Sequence, residues 1–233
     1  MKHLNKIINQ AKSTILKHSS PSRIWVYGSQ TNREAKTGSD IDIAYDDPNC
    51  KNHSKILEEI ENIETLYKID IKNIANSDNR FRNRVEATGK VIYSANSRLR
   101  AEDSLINFSK ALEKFSDIVQ RKEEFFNNGL SDIYLDIVVK RFEFTYEMAW
   151  KSLKRYLEYL GFSPKSPRQT FKEGFSQGII SDEVVWLDMI EIRNLSSHIY
   201  DEWQISEILD RLSEFQTAFQ NLQKEIEKGL NEV

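Results

Sequence analysis

Residues 27–42 read YGSQTNREAKTGSDID, and this stretch decides how the first part of the chain folds. An apolar run, Ile24-Trp25-Val26-Tyr27, stops at Gly28-Ser29, ten polar residues follow, and Asp40-Ile41-Asp42-Ile43 opens a second alternating run. Short apolar runs bounded by glycine and polar residues are the pattern of strands joined by a loop. On a strand, residues two apart share a face, so Asp40 and Asp42 project together while Ile41 and Ile43 enter the core. Two like charges about 7 Å apart on one face repel each other and attract a cation.

Lys68-Ile69-Asp70-Ile71-Lys72 repeats the alternation and supplies a third carboxylate. Pairing of the two strands brings Asp40, Asp42 and Asp70 together, and an all-oxygen set of this kind suits Mg²⁺, which keeps waters and also takes phosphate oxygens. Gly28-Ser29 supplies the complementary half, a tight turn whose N–H groups and hydroxyl can hold a terminal phosphate. The competing reading is that alternating polar residues are a strand's solvated face. Three coincident features weigh against it: the Gly-Ser ending, the short spacer and the later aspartate.

Working outward, helical patterns over Leu4–Lys17, Ser54–Ile63 and Phe81–Ala87 alternate with strand patterns at Ile24–Tyr27, Ile41–Tyr45, Tyr67–Ile74 and Lys90–Tyr93. Gly89 stands where a helix is expected to stop, and Ser181-Asp182-Glu183 reads as a helix start. Past Ser94 the strand signals cease, and Ala95 to Ala101 reads as a polar connection. From Glu102 onward apolar residues recur at three and four in long runs, which predicts a helical bundle. The expected domains are 1–97 and 102–233, and the fold class is α+β: a small mixed sheet followed by an all-α up-and-down bundle.

The totals restrict the functional classes. A net charge of −3 and a pI near 5.9 argue against a general electrostatic grip on DNA, although Arg80-Phe81-Arg82-Asn83-Arg84 is a local basic stretch able to meet phosphates. The single cysteine, Cys50, excludes an internal disulfide and a Cys-rich zinc site. Neither a signal-like N-terminus nor an apolar stretch of about 18 residues is present, so the expectation is a cytoplasmic protein without a membrane partner.

Gly28-Ser29, ten residues, then Asp40-Ile41-Asp42 resembles the signature of the minimal nucleotidyltransferases (MNT), a branch of the DNA polymerase β-like superfamily, and the likeness runs through residues 1–95. The resemblance implies Mg²⁺-dependent transfer of a nucleoside monophosphate, usually AMP from ATP, to an acceptor hydroxyl. Asp40 and Asp42 then hold metal, Asp70 is a third ligand that helps deprotonate the acceptor, and Gly28 and Ser29 bind the triphosphate. The sequence departs from that family at Gln30, where many members are basic, and at Arg33, where many have glycine, while Asn32 tolerates a left-handed turn.

A second polar cluster lies at Glu191-Ile192-Arg193-Asn194-Leu195-Ser196-Ser197-His198-Ile199-Tyr200-Asp201-Glu202. An arginine to bind phosphate and a histidine to move a proton suffice for metal-free RNA cleavage by the 2′-OH. On a straight helix His198 falls about 140° from Arg193, so either the helix loosens at Ser196-Ser197 or the pair meets across a dimer. The alternative is an Arg and a His satisfied by Glu191, Asp201 or Glu202.

Arg193-x4-His198-x-Tyr200 is similar to the R-x4-H-x-Y motif of HEPN domains, and residues 102–230 resemble the branch called nucleotidyltransferase substrate-binding proteins. Phe142, Tyr146 and Trp150 recur at four and read as bundle core rather than a base-stacking platform. MNT and HEPN proteins commonly form toxin–antitoxin pairs, in which the MNT partner adenylylates the motif tyrosine of an RNase. The resemblance therefore implies a fused pair that modifies Tyr200, with ATP and RNA as partners, Arg193 and His198 as the RNase residues, and a homodimer through the helical part. Two alternatives stay open: a small-molecule nucleotidyltransferase with the bundle as acceptor pocket, and a bundle serving only for dimerisation.

Overall fold

The computed structural model describes residues 2–31, 39–195 and 202–232, and the chain divides into two compact units between Asn96 and Ser97.

The first unit contains α1 (Lys2–His18), β1 (Arg23–Tyr27), a 3-10 turn (Gly28–Thr31), β2 (Ile41–Tyr45), α2 (His53–Glu61), β3 (Ile69–Asn73), a second 3-10 turn (Ile74–Asn76), α3 (Asn79–Thr88) and β4 (Lys90–Ser94). The four strands form one mixed sheet in the order β3-β2-β1-β4, with β1 antiparallel to β2 and β4 and with β2 parallel to β3. Alternation sorts the side chains. Ile24, Val26, Ile41, Ile43, Tyr45 and Ile71 face one way and pack on Ile7, Ala11 and Ile15 of α1 and on Ile56 and Ile60 of α2. Trp25, Tyr27 and Ala44 face the other way, against Ile74, Val85 and Phe81. Two covered faces explain why β1 is apolar almost throughout, and α3 shields only part of the second face, where Asp42 stays half-buried.

The local chemistry explains the boundaries. β3 ends at Asn73, whose side chain accepts from Ala75 N–H (3.1 Å) and turns the chain into the 3-10 segment. Asp78 caps α3 by accepting from Phe81 N–H (2.9 Å). Gly89 does stand at the end of α3, but its φ of −70° needs no glycine. A Cβ there would lie 2.5 Å from the Val85 carbonyl and 3.2 Å from Trp25, so close packing accounts for the residue.

The second unit is helical: α4 (Ser97–Gln120), α5 (Lys122–Asn127), α6 (Ser131–Tyr159), α7 (Pro167–Ser176), α8 (Glu183–Leu195) and α9 (Glu202–Asn231). The segment that reads in sequence as a polar connection up to Ala101 is already helix from Ser97. Ala101 is buried there, and Arg98 pairs with Glu102 (3.1 Å) and donates to the Leu230 carbonyl (2.8 Å). Aromatic rings fill the core: Phe142 lies 5.2 Å from Phe215 and 6.2 Å from Phe219 between ring centroids, and Trp186 stacks at 4.7 Å on Phe171. The buried Thr145 hydroxyl links α6 to α4 through the Ala111 carbonyl (3.2 Å). Ser166 caps α7 ahead of Pro167, while the α8 cap is Asp182, accepting from Val185 N–H at 3.2 Å, rather than Ser181. Among the described residues no helix is long and apolar enough to cross a membrane.

Candidate active site

In the first unit the site is a row across three strands. Tyr27 of β1 is the register partner of Asp42 of β2, and Asp42 is the register partner of Asp70 of β3. Opposed residues in a sheet share a face, so the phenol and the two carboxylates stand side by side. The pairing of strands that the aspartates require is therefore present, and it is parallel.

Asp42 carries the electrostatic load. Burial pushes its carboxyl up, and the facing charges of Asp70 and then Asp40 push it further, against relief from Lys72 and Lys68. Lys72 Nζ lies 3.0 Å from Asp70 Oδ2. Asp40 precedes β2 and is exposed, outside the register row though within range of Asp42. Among the described residues no three His, Cys, Asp or Glu side chains gather closely enough to hold a metal ion together. The structure thus brings Asp42 and Asp70 together and leaves Asp40 at the rim.

Gly28 follows Tyr27 with a φ of +73°, a conformation that favours glycine, and opens the 3-10 turn that carries the exposed Ser29. A Cβ at Gly28 would overlap Asp42 Oδ2, so the carboxylate occupies the space that any side chain at this turn would fill. The donor chemistry fits Mg²⁺: the ligands are oxygens only, and Asp42 holds its charge at a cost that a cation would remove. Asn32 and Arg33 lie outside the described residues, as does the side chain of Gln30.

Sequence reasoning missed the surroundings of this row. Tyr27 is only 6% exposed, and its hydroxyl is pushed up to about 12, first by burial and then by Asp70 and Asp42. Phe81 meets Tyr27 edge-on (5.6 Å, 84°), with Lys72 Nζ and the Arg84 guanidinium 5.4 and 5.1 Å from the Phe81 ring centroid. The signal was the period of two itself: Tyr27 stands opposite Asp42 once β1 and β2 pair as a hairpin.

In the second unit Arg193 occupies the last turn of α8, half-buried. His198 and Tyr200 lie outside the described residues, so the Arg–His–Tyr geometry does too. The charge of Arg193 reaches α6 at Tyr146 and Glu147. Tyr146 is 3% exposed and packs on Phe171 (5.6 Å), in keeping with a core role, and burial pushes its hydroxyl strongly up against the pull of Arg193. Burial also pushes Glu147 up, but Lys151 Nζ at 2.8 Å and the Trp150 indole N–H donating at 2.8 Å, with Arg193 behind them, hold its carboxyl below the usual range. Glu147 is a polar neighbour of the motif arginine that α-helical periodicity did not single out.

The mixed sheet with its glycine turn and the helical bundle match two different families. Residues 9–98 match the family described as polymerase beta, nucleotidyltransferase. Residues 103–228 match the nucleotidyltransferase substrate binding protein like family, and the chain belongs to it. A curated relative from Haemophilus influenzae, named probable ribonuclease HepT, is 24% identical over 91 residues, which is 37% of this chain and 62% of that protein, less than two thirds of its length. A crystal structure of a Thermus thermophilus protein, 27% identical, covers 51% of this chain and 98% of its own with a TM-score of 0.45. The chain thus joins a nucleotidyltransferase-like first unit to a second unit of the nucleotidyltransferase substrate binding protein like family.

Proposed function

We propose that the first unit transfers AMP from Mg²⁺-bound ATP to a hydroxyl, and that the acceptor is Tyr200 of the same polypeptide or of a second copy in a homodimer. The observation that carries this reading is the Asp42–Asp70 register pair closed on one side by Gly28. Bound Mg²⁺ supplies charge neutralisation and alignment of the phosphates. Asp42 and Asp70 would hold it, with Asp40 added from the rim, Asp70 would also accept the proton of the attacking phenol, and the Gly28–Ser29 turn would retain the phosphates that leave. The phenolic oxygen bonds to the α-phosphorus as the bond from that phosphorus to the bridging oxygen breaks, and pyrophosphate departs.

The modification adds a phosphodiester anion to the motif that carries Arg193 and His198, and that charge competes with an RNA phosphate for the arginine. The ribonuclease name of the Haemophilus relative and the Arg193-x4-His198-x-Tyr200 spacing support an RNase role for the second unit. Intact-mass measurement after incubation with ATP and Mg²⁺ tests the transfer: wild type gains AMP, whereas Tyr200→Phe and Asp40→Asn/Asp42→Asn do not. AMP addition that persists in Tyr200→Phe overturns the acceptor assignment. Mixing Asp42→Asn with Tyr200→Phe separates the two routes, since labelling of the Asp42→Asn chain requires transfer between copies. RNA exposed to the Asp40→Asn/Asp42→Asn protein is cleaved in a His198-dependent way if the second unit is the toxin.

One observation favours a second reading. A groove of about 710 Å³ runs beside α8 and α9, lined by Trp186, Asp182, Arg211, Glu214 and Glu225 among others, and it offers room for a small acceptor. Absence of label on the protein combined with ATP turnover that rises with an added small-molecule hydroxyl would select that reading.

A further inference from the structure

Tyr27 is more than nine-tenths buried, yet its hydroxyl has no hydrogen-bond partner among the described residues. Buried hydroxyls are rarely left so, because the polar group has given up water without replacement. Its ring is not loosely held: Phe81 braces it edge-on at 5.6 Å, and Trp25, Ala44, Ile74 and Val85 complete its cluster. The orphan therefore sits on a rigid support, in register with Asp42, the residue whose Oδ2 faces the backbone of Gly28.

A carboxylate that binds a cation through one oxygen leaves its second oxygen in need of a donor. Such outer donors set the orientation of a ligand and much of its affinity. Two donors among the described residues are Lys72, already 3.0 Å from Asp70 Oδ2, and the Tyr27 hydroxyl, which has no partner among them.

We infer that Tyr27 is a positioning residue of the carboxylate pair: its hydroxyl donates to one carboxylate oxygen of its register partner Asp42 when a divalent cation engages the other. The inference rests on the nucleotidyl-transfer reading only for the identity of the cation. No bond other than a hydrogen bond forms, and Tyr27 touches neither nucleotide nor acceptor.

The test titrates Mg²⁺ against the melting temperature of the full chain for wild type, Tyr27→Phe and the packing control Trp25→Phe. Tyr27→Phe is expected to fold with unchanged or higher metal-free stability and to need about 10-fold more Mg²⁺ for half its stabilisation. Its KM for Mg²⁺ in any transfer assay rises by the same factor while kcat at saturation holds. Trp25→Phe, on the same sheet face, loses packing and leaves the Mg²⁺ midpoint in place. A Tyr27→Phe midpoint equal to wild type overturns the inference, as does an equal shift in Trp25→Phe or a wild type insensitive to Mg²⁺. A wild type that binds Mg²⁺ but transfers no AMP removes the transfer reading, and the midpoints still decide the role of Tyr27.

Discussion

Replacing Asp42 with asparagine should stabilise the metal-free protein, against the usual cost of altering a half-buried residue. Asp42 and Asp70 are register partners on adjacent parallel strands. Such strands lie about 4.8 Å apart, which puts the charges on the order of 5 Å from each other. At an effective dielectric of about 20 that separation corresponds to roughly 3 kcal/mol of repulsion. Lys72 beside Asp70 and solvent at the rim screen most of it, leaving a net gain of about 1 kcal/mol for Asp42→Asn. For a domain of about 100 residues, 1 kcal/mol raises the midpoint by about 4–8 °C. Differential scanning calorimetry in EDTA reads this directly, and in excess Mg²⁺ the order should reverse because the cation compensates wild type but not the variant. The double variant with Asp70→Asn should gain little more, since both changes relieve one contact. A lower melting temperature for Asp42→Asn in EDTA would refute the electrostatic account of the pair.

The same group makes stability depend on pH. Burial, then Asp70 and Asp40, raise the folded-state carboxyl of Asp42 above its ordinary value of 3.8, so this contribution weakens the fold as pH rises through that window and is relieved on acidification; Asp42→Asn should abolish the component in metal-free urea titrations. Gly28→Ala should destabilise the first unit by about 2 kcal/mol, because φ is +73° and the new methyl would displace Asp42 Oδ2, and it should also weaken Mg²⁺-dependent stabilisation. In α9, a Cβ at Gly229 would overlap the Tyr156 hydroxyl and also its ring Cζ; Gly229→Ala should therefore cost about 1–3 kcal/mol despite better helix propensity, and Tyr156→Leu in the same chain, which removes both atoms, should recover part of it, as read by chemical denaturation.

Much of the scaffold was legible because it depends on local patterns. The alternation at Ile24–Tyr27 and Ile41–Tyr45 marks β1 and β2, and spacings of three and four mark α6 over nearly its whole length. What escaped the sequence depends on distant neighbours. The parallel pairing that sets Asp42 against Asp70 joins segments separated by a helix, and no residue in either strand announces its direction. Tyr27 looks like core in the sequence and is core by burial, so what distinguishes it is its register pairing with Asp42 together with a hydroxyl that has no partner among the described residues. Gly89 reads as a helix-stopping residue with special backbone freedom, whereas the close approach of the Val85 carbonyl, with Trp25 next to it, is what excludes a side chain. The start of α4 at Ser97 was hidden by its charged first turn, where Arg98 and Glu102 satisfy each other. For the second polar cluster, Arg193 has a place on α8, and its neighbour Glu147 belongs to a helix whose apolar stripe drew attention to the opposite faces.

The β2–β3 pairing also acts as a check on assembly. A slip of one residue between these strands would replace Asp70 with an isoleucine beside Asp42 and, in the same movement, turn charged side chains toward α1 and α2. Misalignment of the site is therefore penalised by the hydrophobic energy of the whole first unit, not by the weaker preferences of two aspartates. Selection for a folded domain alone would keep the carboxylates aligned, so their alignment is a property of the fold, and the cation and transfer assays are what decide the proposed activity.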